Sequence, residues 1–425
     1  MKYYLSKLPN GLRILSVPMP TLESATVTVW VKTGSRMEEA RVNGISHFLE
    51  HMVFKGSKKR PSAKEIAEAV DAIGGEFNAA TSKDWTNFYI KARKGHLEKA
   101  FDVLSDMVLN PILPEAEIER EKGVIVEEIR MYEDTPMIRI GDVFEELIFS
   151  GNPLGWDIAG SEKTVMGIGK SDFLRYRKMH YYPENMLVTV AGGIKEKDVM
   201  KLAKVYFGGL KTQRSKHDKI EEFKAKQIKP QVRLHPKKKE QAHFILGFLG
   251  DGRGYQRRFA QSVLSSILGG GMSSRLFSEV RERRGLAYAV RTSPERYMET
   301  GYIGTYAGVD VKRADEAIKV TLDEHYKLAS GKAKISTKEL AKSKEYLKGH
   351  LALALEDTKD VGGFFGDQEL FLTKVLTPEE VLRKIDAISA NDVVAEARRL
   401  FRPERLNLAI IGPYENPVRF EKLLK

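Results

Sequence analysis

What this chain can fold into is constrained most by an internal repeat with a period of about 215 residues. Tyr181–Ile194 (YYPENMLVTVAGGI) and Leu400–Tyr414 (LFRPERLNLAIIGPY) each place a Pro-Glu pair, at Pro183 and Pro403, ahead of an apolar strand that ends in Gly. A helix opening with Ser and Asp precedes each, at Ser171-Asp172 and at Ser389 to Asp392. Upstream, Gly74–Leu104 lines up with Arg284–Ile318: a strand, a turn, a Thr-led strand, then a basic turn into a helix. A 425-residue chain repeating in this way predicts two homologous domains rather than one large one. The expected division is residues 1–210, a Lys- and Gln-rich linker over 211–239, and residues 240–425. Apolar spacing predicts strands at Thr26–Val31 and Phe88–Ala92, and helices at Ala63–Ile73, Leu97–Leu109, Glu115–Met131 and Lys170–His180. The fold class is therefore α+β, each domain a mostly antiparallel sheet covered by helices.

Composition narrows the chemistry. There is no cysteine, which excludes disulfides, thiolate metal sites and a thiol nucleophile. No apolar run approaches the ~20 residues a membrane helix needs, and the N-terminus has no secretory h-region, so a cytoplasmic protein is expected. The net charge of +12 invites a nucleic-acid reading. Its densest clusters, Lys58-Lys59-Arg60, Lys237-Lys238-Lys239 and Arg281 to Arg284, are short and lack an aromatic platform. Solvated surface accounts for them, and no nucleic-acid partner is expected.

The sharpest chemical signal is His47-Phe48-Leu49-Glu50-His51. On a helix, His47 and His51 stand four apart on one face, where two imidazoles can bind one zinc ion. Glu50 leans toward the same face. This is the inverted metallopeptidase pattern His-x-x-Glu-His. A catalytic zinc usually takes three protein ligands, and the helix expected over Glu115–Met131 offers glutamates for the third. Glu121 and Glu128 are seven apart and share a face, whereas Glu127 points about 100° away. A second glutamate beside the site could orient a ligating histidine.

With Glu128 standing 77 residues after His51, the pentad resembles the pitrilysin-type zinc metallopeptidases, the superfamily of insulin-degrading enzyme and mitochondrial processing peptidase. The resemblance runs along nearly the whole chain. Val124–Pro136 (VIVEEIRMYEDTP) is similar to the family's third-ligand segment, which implies Glu128 as the ligand and Glu121 in a supporting role. Asn78, Ala79 and Ala80, followed by Thr81, resemble the family's edge strand, which pairs with substrate backbone. Gly269–Val290 resembles the second-half signature, whose Arg and Tyr contact substrate or intermediate near zinc; Arg281 and Tyr288 match them.

The resemblance implies a zinc endopeptidase, one Zn2+ per chain, with Glu50 as general base, acting on short or unfolded peptides. The repeat places the pentad's counterpart near Phe259–Leu268, which holds no His or Glu, so only the first half is expected to catalyse. Short family members pair two chains, each half of a clamshell. A homodimer is therefore expected, with a heterodimer containing a homologous inactive chain as the rival. The alternative function is a non-catalytic or partner-dependent subunit of such a pair.

Overall fold

The computed structural model describes residues 1–211 and 220–424; residues 212–219, inside the expected linker, and Lys425 lie outside the described residues. Alternating side chains set the first sheet. In β3 (Ser24–Val31) the run Thr26, Thr28, Trp30 points to one face and Val27, Val29, Val31 to the other, and all six are buried. With β1 (Tyr4–Lys7), β2 (Arg13–Pro18), β4 (Glu76–Thr81), β5 (Thr86–Arg93) and β6 (Met186–Gly192) it forms a sheet in the order β1-β2-β6-β3-β5-β4. The second sheet comprises β7 (Gln231–Pro236), β8 (Gln241–Asp251), β9 (Ala287–Arg296), β10 (Thr300–Asp310) and β11 (Leu406–Gly412), ordered β7-β11-β8-β10-β9. Without β1 the two orders are identical strand for strand, so the repeat is structural. Each sheet has one parallel pair, β2 with β6 and β7 with β11, and is otherwise antiparallel. The architecture is two-domain α+β, with mixed sheets covered by helices.

The chain divides into two compact units that are not contiguous in sequence. The first takes Met1–Arg130, Trp156–Glu221 and Leu353–Thr377; the second takes Met131–Gly155, Glu222–Ala352 and Pro378–Lys425. The contiguous division expected from the repeat therefore differs in two segments, each containing one helix that packs on the sheet of the opposite half. Helix Thr358–Phe371 covers the Thr-bearing face of the first sheet. Thr358 Oγ1 lies 2.7 Å from Thr26 Oγ1, and a Cβ on Gly366 would stand 2.9 Å from the Trp30 ring, so glycine lets the helix approach this closely. Helix Pro136–Ile148 does the same in the second unit. Ile140, Val143, Phe144 and Ile148 pack with Leu249, Ala409 and Ile411, while Glu145 accepts from the hydroxyls of Tyr297 and Tyr302.

Over the other face of the first sheet lie helices Leu97–Leu109 and Glu196–Phe207, whose Phe101, Leu104, Val199 and Phe207 join Val27 and Val29 in one core. Helices Leu97–Leu109 and Lys170–His180 have the bounds that spacing predicts; Ala63–Asp71 is shorter, and Glu115–Asp134 runs three residues further. Strands β4 and β9 occupy equivalent sheet edges.

Candidate metal centre

The pentad lies on helix Ile45–Val53, which buries Ile45, Phe48, Leu49, Met52 and Val53. Those positions leave His47, Glu50 and His51 on the opposite side. The helix start is held in place. Gly44 adopts φ +100°, and a Cβ there would sit 2.6 Å from the Ala159 carbonyl oxygen. Buried Glu38 caps the first turn, accepting from the backbone N–H of Gly44 at 2.7 Å and of Ser46 at 2.8 Å, and from Asn43 Nδ2 at 2.8 Å. Ser46 Oγ in turn meets the Tyr176 hydroxyl at 2.7 Å, which also meets Thr33 Oγ1 at 2.9 Å.

Three donor atoms converge. His47 Nε2 and His51 Nε2 lie 3.2 Å apart, and Glu128 Oε2 stands 3.7 and 3.6 Å from them. Among the described residues these form the one His/Asp/Glu group able to hold a metal ion. Glu127 points away and pairs with Arg130 at 2.6 Å. His51 Nδ1 lies 2.9 Å from Glu121 Oε1, and Lys55 Nζ is 2.6 Å from Glu121 Oε2. A carboxylate can only accept, so Nδ1 of His51 carries a proton, which leaves Nε2 as the atom that would bind a metal. Burial, and then the neighbouring His51, lowers the His47 pKa to about 4, so this ring is neutral near pH 7.

This donor set fits zinc. A tetrahedral site with Zn–N bonds of ~2.0–2.1 Å has donor–donor edges of ~3.3–3.4 Å. The three observed edges bracket that length. His47 Nδ1 is buried with no hydrogen-bond partner among the described residues, in contrast to the supported His51.

Glu50 accepts from the Thr81 hydroxyl, which ties it to the end of edge strand β4. Burial raises its pKa above the usual carboxylate value, against the pull of Thr81 and His51. Asn78, Ala79 and Ala80 lie on the same strand, whose outer backbone edge has no strand partner among the described residues. Arg281 and Tyr288 belong to the second unit. Six residues of π-helix, Phe277–Glu282, carry Arg281, and Tyr288 is the second residue of edge strand β9. The Arg281 guanidinium lies 4.7 Å from the Phe277 ring centroid and 4.9 Å from that of Tyr288, which is 79% exposed. Sequence reasoning assigned nothing to Lys55, Glu38 or the Thr81 hydroxyl. Lys55, four residues after His51, had a helical-spacing signal; Glu38 is distant from the pentad's period and had none.

Residues 13–162 match the family profile described as Insulinase (Peptidase family M16), and residues 167–347 that described as Peptidase M16 inactive domain. The uncharacterized zinc protease YmxG of Bacillus subtilis is 38% identical over 410 residues, covering 96% of this chain and 97% of that one. The chain belongs to peptidase family M16. An uncharacterized zinc protease of Rickettsia felis is 35% identical over 97% of this M16 chain and 98% of its own length. A solved protease from Helicobacter pylori superposes with a TM-score of 0.91 at 26% identity, covering 97% of this chain and all of that one. A peptidase M16 inactive domain from Pseudomonas fluorescens, at 19% identity and a TM-score of 0.90, shares the fold. The M16 relatives, named as zinc proteases, support a peptidase-like function. Among the described residues of this M16 chain no helix is long and apolar enough to cross a membrane.

Proposed function

We propose that this chain is a zinc-dependent endopeptidase that hydrolyses short or unfolded peptides, with one metal ion per chain held by His47, His51 and Glu128. The observation that carries the reading is the convergence of two imidazole nitrogens and a carboxylate oxygen, 3.2–3.7 Å from one another, beside the largely buried carboxylate of Glu50. Zinc, when bound, supplies Lewis acidity to a scissile carbonyl and makes an adjacent water acidic near neutral pH. Glu50 takes the proton of the attacking water and passes it to the leaving amine nitrogen. Burial makes it a stronger base than an ordinary carboxylate, which suits that exchange. Thr81 holds one of its oxygens and leaves the other for the proton.

The peptide is proposed to add to the free edge of β4 along Asn78, Ala79 and Ala80, a mode that reads backbone more than side chains. Thr81, on the same strand, links that register to Glu50. Arg281 and Tyr288 are proposed as donors to the developing oxyanion, in a homodimer serving the partner chain's centre.

The test incubates a mixed pool of peptides, ~10–40 residues long, with the purified chain and with Glu50→Gln, and reads cleavage by mass spectrometry. Cleavage by the unsubstituted chain alone, stopped by a chelator and restored by zinc, is the expected result. Equal cleavage by both would overturn the role of Glu50. Bound zinc with no cleavage by either would favour a subunit that needs a partner chain.

A further inference from the structure

We propose that Lys55 is a positioning residue for the metal centre: its ammonium anchors one oxygen of Glu121 and so keeps the other on His51. The inference rests on the zinc reading above. The contacts form a chain, Lys55 Nζ to Glu121 Oε2 at 2.6 Å, then Glu121 Oε1 to His51 Nδ1 at 2.9 Å, and each carboxylate oxygen has one donor. Glu121 is 3% exposed, on a helix that also buries Ile118 and Ile125. A buried carboxylate with a single donor would carry an unbalanced charge and an unsatisfied oxygen, and would turn toward any cation or water within reach. Lys55 removes that freedom. Glu121 is then held as a full acceptor for Nδ1–H, which fixes the ring orientation of His51 and keeps Nε2 a bare donor toward the metal.

The backbone shows that this reach is not an accident of a long side chain. The loop after the pentad helix is joined to the segment that leads into helix Glu115–Asp134. Lys58 N donates to Asn110 O at 3.0 Å, Ile112 N donates to Gly56 O at 3.1 Å, and Ser57 bridges Pro111. Lys55 N donates to Met52 O at 3.1 Å, so the residue is tied back to its own helix as well. Main-chain bonds therefore set the separation between Lys55 and Glu121. An ion pair serving stability alone would leave metal affinity unchanged when broken, which separates the two readings.

The experiment measures zinc affinity of the full chain by competition with a chromophoric chelator, and the visible spectrum with Co2+ in place of zinc. Lys55→Met is expected to weaken zinc binding about 10-fold or more, the usual effect of losing an outer support of a ligating histidine. Lys55→Arg should restore most of it. In a Glu121→Gln background, Lys55→Met should change affinity less than about twofold, because the path it acts through is already cut. Lys55→Gln, which keeps a donor without the charge, stands in if Lys55→Met does not fold by thermal unfolding of the metal-free chain. Affinity of both neutral variants within twofold of the unsubstituted chain would overturn the inference. So would an undiminished loss in the Glu121→Gln background. Failure of the unsubstituted chain to bind zinc would instead sink the proposed function.

Discussion

Two glycines three residues apart on helix Thr358–Phe371 are expected to answer the same substitution with opposite sign. A Cβ at Gly366 would stand 2.9 Å from Cε2 and Nε1 of Trp30 and 3.1 Å from its Cζ2. Trp30 cannot yield easily: it is 4% exposed, donates to Thr189 Oγ1 at 3.0 Å, and packs edge-on to Trp85 with centroids 5.2 Å apart. At Gly363 the same atom would meet nothing within 4 Å. Glycine to alanine in a helix gains ~0.8–1 kcal/mol in either place, and overpacking a well-packed core costs ~1–3 kcal/mol. Gly363→Ala should therefore stabilise by about 1 kcal/mol and Gly366→Ala should destabilise by up to about 2 kcal/mol. Their difference isolates the overpacking cost, because the helix contribution cancels. Urea unfolding followed by tryptophan fluorescence reads this out for one unit alone, since Trp30, Trp85 and Trp156 all belong to the first. Equal shifts for both variants would refute the close approach of this helix to the first sheet, and with it the exchange of helices between the halves.

Three further outcomes are expected. Glu128→Gln should abolish tight zinc binding in a chelator competition while Glu127→Gln leaves it unchanged; equal losses would remove Glu128 from the ligand set. Burial raises the Glu38 carboxyl to about 7, against the donors that pull it down, so the folded state favours its protonated form. The associated stability, about 3 kcal/mol, is full below pH ~4.5 and lost as pH rises through 7. Denaturation from pH 4.5 to 8 should be flatter for Glu38→Gln, and identical slopes would sink this account. Asp84→Asn strips the charge partner 3.1 Å from Arg36, in a pair 0–1% exposed, and should cost about 3–5 kcal/mol in urea unfolding; a loss below about 1 kcal/mol would count against it.

Much of this fold could be read along the chain because it is local. The strand and helix of each repeat carry their own period, and the Pro-Glu pairs at Pro183 and Pro403 mark the same short turn before β6 and β11. The pentad was legible for the same reason, since His47 and His51 need only a helix to meet. What the spacing did not reveal is which surface each helix covers. Helix Thr358–Phe371 shows Val361, Phe365 and a run of glycines, which says that it is buried, and nothing in those residues names Trp30 and Thr26 as the partners. The Thr positions of β3 are covered by that helix, with Thr358 against Thr26. Glu38 was hidden differently: a carboxylate eight residues before Ser46 reaches the helix start only after the intervening turns have formed.

The exchange of helices also bears on how the chain must be made. Translation delivers β6 by residue 192, which completes the six strands of the first sheet, but the helix that covers their Thr and Trp30 face ends at residue 371. At ~5–20 residues per second the ribosome needs roughly 10–40 s to supply it. During that interval the nascent sheet presents an uncovered face to solvent and to neighbouring nascent chains, long enough for a chaperone to bind or for two chains to stick. A fragment ending at residue 210 would remain in that condition permanently. Its expected fate is aggregation on expression, relieved by supplying residues 353–377 in trans.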